Sequence, residues 1–149
     1  MVKTKKKILV DDRYAKTGRY RKDLKEASEA KECPLCTLRW HTNPILKRKG
    51  GWFITRTTQP YKNTKWHFLL IAKKHVEDIE LLKENDLSEV LSLIKWAKKE
   101  FNIKGGGVTL RFGETLFTGA TIFHLHFHFI APLLNKKKTG AMVVQFPIG

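Results

Sequence analysis

Three histidines at alternate positions are the part of this chain best suited to chemistry. His124, His126 and His128 lie in the segment TIFHLHFHFIAP, residues 121–132, with Phe and Leu residues between them. Successive side chains of a β-strand point to opposite faces, so on a strand these three imidazoles would share one face. Imidazole acts as a nucleophile, a proton carrier and a metal ligand near neutral pH. The spacing therefore favours a functional row of histidines over an ordinary half-exposed strand.

The two cysteines of the chain are Cys33 and Cys36, in the sequence CPLC. The C-x-x-C spacing suits either a metal site or a redox pair. Two free thiols are the third interpretation, since a reducing compartment argues against a structural disulfide. The residues around the pair show no thioredoxin-like pattern, and this weakens the redox interpretation.

The composition is that of a basic globular protein. Lys and Arg number 29 against 14 Asp and Glu, which gives a formal net charge of +15. This excess favours anionic partners such as nucleotides and nucleic acid, although lysines spread along a chain also occur simply as a solvated surface. No apolar run approaches the roughly 18 residues of a transmembrane helix, and the basic N-terminus lacks the apolar core of a secretory signal. We therefore expect a cytoplasmic protein with no membrane partner.

The elements that must position the histidines can be predicted from residue periodicity. Residues 19–31 are good helix formers, and residues 86–101 form the clearest helix, with an apolar face and Asp86 and Glu89 at capping-box spacing. Strands are predicted over residues 51–58, 66–72, 108–113, 121–131 and 141–147. This order predicts an α+β fold with a mostly antiparallel sheet of about five strands, one long helix and an N-terminal helical arm.

At this length we expect a single domain over residues 1–149. Residues 1–32 would form a basic arm and helix, 33–132 the core that carries the motifs, and 133–149 a basic loop and strand.

The segment HLHFHFI resembles the motif that names the histidine-triad (HIT) family, in which three histidines alternate with apolar residues. QPYKNTKWHFLLIAKKH, residues 59–75, resembles the upstream strand of that family. TGAT, residues 118–121, is similar to its small-residue phosphate loop, and CPLC resembles the zinc pair of a subset of members. The resemblance spans residues 33–132 and leaves the arm and the last predicted strand unexplained.

The resemblance implies a small α+β domain, commonly a homodimer, that cleaves a nucleotide at its α-phosphate through a nucleotidyl-histidine intermediate. His126 aligns with the nucleophile, and His128 would donate to the phosphoryl oxygens. His67 aligns with a supporting histidine of the neighbouring strand, and a structural histidine in the core of an apolar strand is the alternative interpretation. Gly119 and Thr121 would contact phosphate, with an ordinary turn as the alternative.

The resemblance also implies a structural zinc ion held by Cys33, Cys36, His75 and His124. His41 is a competing ligand because it is close in sequence to the cysteines. A catalytic zinc held by the three triad histidines is less favoured, since side chains at i, i+2 and i+4 of one strand do not readily reach one metal.

Ala120 departs from the family pattern, because many members carry Gln at this position. This difference favours dinucleoside polyphosphate substrates, as in the diadenosine polyphosphate hydrolases, over nucleoside phosphoramidates. Thr57 and Gln59 are candidates for ribose binding, and Trp96 for a homodimer interface. The cations predicted near the mouth of the pocket are Arg111, Lys73, Lys74 and Lys136 to Lys138.

The competing function is a nucleotide- or RNA-binding module on the same fold, without turnover. The basic arm and the net positive charge would support weak nucleic-acid binding of this kind.

Overall fold

The computed structural model describes residues 9–149, which form one five-stranded sheet with helices on both faces. The strands are β1 (Ile45–Lys49), β2 (Trp52–Arg56), β3 (Thr64–Ala72), β4 (Gly107–Leu110) and β5 (His126–Pro132). The α-helices are α1 (Gly18–Ala30), α2 (Pro34–Thr37), α3 (Glu84–Glu100) and α4 (Thr115–Thr118), and short 3-10 helices span Asp12–Tyr14 and Ile79–Leu81. The order in the sheet is β1-β2-β3-β5-β4, and every neighbouring pair is antiparallel. The predicted fold class is therefore confirmed.

The alternation of β3 and β5 gives the sheet two buried faces. Phe68 and Leu70 of β3 lie with Phe127 and Phe129 of β5 on the face that packs against α3. On the opposite face, Leu69 packs with residues of the arm and of α1. Central strands that are covered on both faces consist almost entirely of apolar residues. This explains why residues 66–72 are mostly apolar rather than alternating.

The register of β3 against β5 places three histidines on the face that packs against the arm. His128 is the partner of Leu69, His126 of Ile71, and His67 of Ile130. Directly opposed residues of an antiparallel pair share a face. The pairing thus fixes His67, His126 and His128 as near neighbours.

The strand predicted over residues 121–131 begins only at His126, so the expectation that all three triad histidines share one strand face is wrong for His124. The backbone before His126 bonds to other partners. Phe123 N–H donates to the carbonyl of Leu9 at 2.9 Å, and Leu125 N–H donates to that of Val76 at 2.6 Å. These bonds hold residues 121–125 between the arm and a loop rather than against a strand.

The strand predicted over residues 141–147 is not formed, and a single bridge between Leu134 and Ala141 takes its place. Phe146 packs against the rings of Tyr61 and His128, at centroid distances of 5.9 and 5.0 Å. These contacts draw the C-terminal segment across the strands instead of along an edge. The fifth strand is β1, whose sequence ILKRK has the basic character of many edge strands and was not predicted.

Helix α3 begins two residues earlier than predicted, after the N-cap Lys83. Asp86 is at the third helical position, where its carboxylate accepts from Lys83 N–H at 2.8 Å, so the predicted pairing of Asp86 with Glu89 in a capping box is wrong. Glu89 instead accepts from Gly51 N–H at 2.8 Å. The helix is thereby tied to the β1–β2 turn. Within residues 9–149, no helix combines the length and apolar character needed to cross a membrane.

The N-terminal arm is anchored to the residues that precede the histidine strand. Val10 forms a bridge with Ile122, and Asp11 N–H donates to the carbonyl of Thr121 at 2.7 Å. The buried Asp11 carboxylate accepts from Arg13 at 2.6 Å and from Thr115 Oγ1 at 2.8 Å. The Arg13 guanidinium is the main cause that lowers the pKa of Asp11 to about 2, against the effect of burial.

We expect Asp11→Asn to lower the free energy of unfolding at pH 7 by roughly 1–2 kcal/mol. Because the folded pKa lies below the ordinary value, the stabilisation is present above about pH 4 and lost as the pH falls towards 2. Urea unfolding at several pH values measures this. Glu29→Gln, an exposed change on α1, is the control, and identical acid sensitivity of Asp11→Asn and the wild type would contradict the prediction.

Candidate functional site

A chain of hydrogen bonds fixes the proton positions of His67 and His128. Tyr61 N–H donates to His67 Nδ1 at 3.2 Å, so the His67 proton is on Nε2. His67 Nε2 lies 2.8 Å from His128 Nδ1, which must then accept. The remaining His128 proton is on Nε2, and this buried atom has no hydrogen-bond partner among residues 9–149. His128 Nε2–H is therefore a donor available to a bound molecule.

The backbone fixes the tautomer of His126 in the opposite sense. His126 Nδ1 lies 2.7 Å from the carbonyl oxygen of His124, which can only accept, so the proton is on Nδ1. The Nε2 lone pair is left free on a partly buried ring whose centroid lies 4.9 Å from that of His128. A nucleophilic imidazole requires this arrangement, with one nitrogen held and the other free.

Burial keeps these imidazoles neutral. It is the largest cause that lowers the pKa of His67 and of His126 to about 4, and it lowers that of His128 well below the ordinary range. The Arg111 charge and neighbouring imidazoles act in the same direction, since like charges disfavour protonation. At neutral pH the His126 lone pair is thus available without prior loss of a proton.

His126 and His128 line a cavity of about 210 Å³. The sequence-predicted residues Gly119, Thr121 and Arg111 line it as well, and so do Thr57 and Gln59. His67 lies behind His128 and contacts the cavity only through it. A larger cavity of about 660 Å³ beside β4 and the C-terminal segment contains no histidine, cysteine or carboxylate, so the smaller cavity is the candidate active site.

Gly119 and Thr121 are held in defined conformations at the cavity. Gly119 ends α4 with φ of +65°, and a β-carbon there would lie 2.7 Å from the carbonyl oxygen of Gly149, so glycine is required. The Thr121 hydroxyl lies 2.7 Å from the Tyr20 hydroxyl. Both residues thus line the cavity in defined conformations, and their contact with phosphate stays a prediction.

Of the cations predicted near the pocket mouth, Arg111 alone lines the cavity. Its guanidinium donates to the carbonyl of Pro147 at 3.2 Å and to the Tyr61 hydroxyl at 3.4 Å. Lys73 instead donates its side-chain ammonium to the carbonyl of Gly50, because its backbone N–H also bonds to the β1–β2 turn, at the Gly51 carbonyl. A lysine of the arm, Lys16, lines the cavity and was not predicted.

The four predicted metal ligands come together beside this cavity. The ligand atoms of Cys33, Cys36, His75 and His124 all lie within 4.8 Å of one another. His124 Nδ1 lies 3.4 Å from Cys33 Sγ and 3.3 Å from Cys36 Sγ, and His75 Nδ1 lies 3.3 Å from Cys36 Sγ. Tetrahedral zinc with ordinary bond lengths places sulfur and nitrogen about 3.5 Å apart. The cluster therefore fits a metal ion.

Neighbouring acceptors orient the two histidines of the cluster. His124 Nε2 donates to the carbonyl of Ala72 at 2.7 Å, and His75 Nε2 lies 2.7 Å from a carboxylate oxygen of Glu77. Each imidazole thus presents its Nδ1 lone pair to the thiols, as metal-binding histidines commonly do. His41 is not part of the cluster, because its Nε2 lies 2.8 Å from Thr55 Oγ1. His124 faces the cysteines, away from His126 and His128, which rules out one metal held by the three triad histidines.

The arm is the part of the site that sequence reasoning missed. Tyr14, Lys16, Tyr20 and Asp23 line the cavity, although residues 1–32 carry no recognisable motif. Tyr61 was also missed as a site residue. It follows a proline in a predicted turn, and that proline was the available signal.

The HIT domain family model matches residues 42–133, which contain the histidine strand and its upstream neighbour. The chain belongs to this family. The match excludes the arm, α1 and the cysteine pair. An uncharacterised HIT-like protein of Chlamydia muridarum is 35% identical over 67 residues, which are 43% of this chain and 52% of that protein. The chain thus spans about half the length of this curated relative.

Solved structures show the same fold. A histidine triad nucleotide-binding protein from Candida albicans has a TM-score of 0.58 and 21% identity, over 79% of this chain and 85% of that one. A Zn-bound histidine triad family protein from Mycobacterium smegmatis has a TM-score of 0.52 and 18% identity, over 74% and 81% of the two chains.

We expect the His67 imidazole to be neutral and protonated on Nε2 at every pH above about 5, because its pKa is about 4. Long-range proton–nitrogen NMR spectra report both properties, and His67→Gln identifies the signal. A folded pKa below the ordinary 6.5 also means that this group's stabilisation is lost as the pH falls from about 6.5 to 4. A His67 signal that titrates near pH 6.5 would contradict the assignment.

Proposed function

We propose that this protein is a nucleotidyl hydrolase or transferase that cleaves a nucleotide at its α-phosphate, with His126 as the nucleophile. The observation that carries the proposal is the tautomer of His126, whose Nδ1–H is held by the His124 carbonyl while Nε2 stays free at the cavity. The competing RNA-binding module has no comparable support, because a binding site for phosphate does not need a free imidazole lone pair.

In the proposed reaction, His126 Nε2 attacks the α-phosphorus. The new N–P bond forms as the P–O bond to the leaving phosphate breaks, and the leaving oxygen takes the electron pair. The His126 ring becomes an imidazolium, which its hydrogen bond to the His124 carbonyl stabilises. His128 Nε2–H donates to the phosphoryl oxygens, and the Thr121 hydroxyl is placed to do the same. Preorganised donors of this kind act where charge develops.

Water or another acceptor then attacks the phosphorus from the open side of the cavity. The N–P bond breaks, its electrons return to His126 Nε2, and the proton of the attacking water is released. His67 acts through His128, because its Nε2–H keeps the His128 proton on the nitrogen that faces the phosphate. His67 is therefore a positioning residue in this scheme.

The substrate class that we propose is the dinucleoside polyphosphates. An amine leaving group must gain a proton as it departs, but the imidazoles of the cavity are neutral and Ala120 has no side-chain donor. A polyphosphate departs as an anion and needs cations instead. Arg111 lies in the cavity wall, and the same wall has apolar and hydroxyl groups suited to a nucleoside, from Leu35, Trp40 and Thr57.

We propose that the Cys33, Cys36, His75 and His124 cluster holds zinc. Bound zinc would supply a structural cross-link between α2 and the segment that leads into β5. The donor set and the short Sγ–Nδ1 separations support zinc over a hard cation such as magnesium. The cluster holds the residue whose carbonyl orients His126, so it stabilises the site without contact with the substrate.

A homodimer remains part of the proposal. Trp96 is not a free anchor, because its ring packs against Phe101 at a centroid distance of 5.9 Å. Leu87 and Leu91 of α3 are 52% and 49% exposed, although they belong to the apolar face of this helix. They are the better candidates for an interface on this helix.

We expect His126→Asn to lower kcat by at least about 1000-fold while the affinity for adenosine monophosphate changes only a few-fold. Diadenosine tetraphosphate labelled at the α-phosphate should leave an acid-labile label on the wild type and none on this variant. His41→Gln changes a histidine of the same cavity that contacts Thr55 and no triad histidine, and it should retain the label. Normal turnover by His126→Asn would overturn the mechanism, and steeply salt-dependent RNA binding by a wild type without turnover would favour the binding module.

We expect about one zinc ion per chain when the protein is purified without chelator. Cys36→Ser should reduce the zinc content and the Tm, because structural zinc contributes folding free energy. His41→Gln should keep its zinc, since His41 bonds to Thr55. Elemental analysis and thermal unfolding measure both quantities, and a zinc-free wild type with an unchanged Tm after chelation would refute the site.

A further inference from the structure

Lys16 extends from the arm over the candidate active site. Its Nζ lies 3.8 Å from the centroid of the Tyr61 ring. That ring in turn stacks on His128, with centroids 5.7 Å apart and planes at 11°. Asp23 lines the same cavity, but Lys16 forms no ion pair with any carboxylate among residues 9–149. The Lys16 ammonium group thus contacts the aromatic ring that stacks on a triad histidine, and no carboxylate pairs with it.

A second cation contacts the hydroxyl end of Tyr61. Arg111 donates to the Tyr61 hydroxyl, and its buried Nε has no hydrogen-bond partner among the described residues. Burial and then the charge of Arg111 lower the pKa of Lys16, so the two cations are close enough to repel each other. Together with the unpartnered His128 Nε2–H, the cavity holds unused donors and positive charge that an anion would satisfy.

The position of Lys16 is fixed by the fold of the arm. The Asp11 carboxylate bonds to Thr115 on one side of it, and the Tyr20 hydroxyl contacts Thr121 on the other. Lys16 lies between these two anchors in the sequence, immediately before Thr17, the N-cap of α1. The arm lies outside the family match over residues 42–133, so Lys16 is not part of the matched domain.

We infer that Lys16 is a specificity residue that binds, together with Arg111, the phosphates beyond the α-phosphate of a nucleotide substrate. This inference rests on the proposed function for the identity of the reacting phosphate. In this arrangement His126 and His128 face that phosphate. Lys16, over the Tyr61 ring, and Arg111, at the Tyr61 hydroxyl, line the same cavity, where the leaving phosphates would lie. As the P–O bond breaks, its electron pair stays on the leaving oxygen, and the cations stabilise that charge. No proton transfer or further reactant is needed.

The experiment measures binding in a His126→Asn background, so that substrate is not consumed. Calorimetry gives the Kd of adenosine monophosphate and of diadenosine tetraphosphate. We expect Lys16→Ala to reduce the preference for the tetraphosphate about tenfold, while Lys16→Arg retains it. Added salt should weaken the preference for the tetraphosphate in the His126→Asn protein that retains Lys16. The effect should be smaller when Lys16→Ala is added, because screening acts on the charge that this variant lacks.

Lys22→Ala is the matched control, an exposed lysine of α1 that does not line the cavity. Lys16→Gln retains a long side chain without the charge, and it should behave as Lys16→Ala even if alanine loosens the arm. An unchanged preference in both Lys16→Ala and Lys16→Gln would overturn the inference, as would equal losses for the two ligands.

The outcomes also separate this inference from the proposed function. If the wild type forms the labelled histidine but the Lys16 variants keep the full preference, Lys16 has no such role and the mechanism stands. If His126→Asn still turns over substrate, the mechanism fails, and a reduced preference in the Lys16 variants still supports the role of Lys16 in binding.

Discussion

The site depends on His124, although this residue does not face the cavity. Its carbonyl accepts the Nδ1 proton of His126 and so determines which nitrogen of the proposed nucleophile is free. Its Nε2 donates to Ala72 at the end of β3, and its Nδ1 faces both cysteines. One residue therefore couples the metal cluster, the central strand and the reactive imidazole. A shift of His124 would change all three at once, because the backbone that carries the carbonyl also carries the ring.

The second constraint is the double burial of the central strands. With α3 on one face of the sheet and the arm on the other, the imidazoles on the arm side are removed from bulk water. Desolvation keeps them neutral, and neutrality allows each ring to have one donor and one acceptor nitrogen. The relay from Tyr61 through His67 to His128 works only in that state. Packing thus prepares the chemistry as directly as the site residues do.

The family domain and the rest of the chain contribute different parts of the cavity. Residues within 42–133 supply the histidines, the glycine turn and Arg111, whereas the arm supplies Tyr20 and Lys16. Phe146 and Pro147, beyond the match, hold the Arg111 side chain. The lining of the candidate active site thus combines residues of the family domain with residues from segments that flank it on both sides.

The sequence by itself was enough for the α+β class, the long helix, the four clustered metal ligands and the placement of His126 and His128 on one strand face. The fold class, the helix and the shared strand face follow from local periodicity, whereas the four clustered Cys and His residues were predicted from the resemblance to the family motifs. The triad strand was predicted to begin five residues too early, because alternation at residues 121–125 matches a strand even when the backbone bonds elsewhere. β1 was missed because its residues are those of a charged edge.

Only the tertiary structure decided the histidine tautomers, the neutrality of the imidazoles and the position of Lys16 at the cavity. The tautomers depend on contacts at short and long range: the His124 carbonyl beside His126, the Tyr61 amide beside His67, and His67 against His128, 61 residues away. Neutrality depends on the arm packed against the sheet, and the arm is held there by contacts such as Tyr20 with Thr121, 101 residues away. Residue type and spacing indicate which chemical roles a side chain is able to perform. The proton position and the charge of its surroundings arise only when the chain has folded, because they are set by contacts that no local pattern encodes.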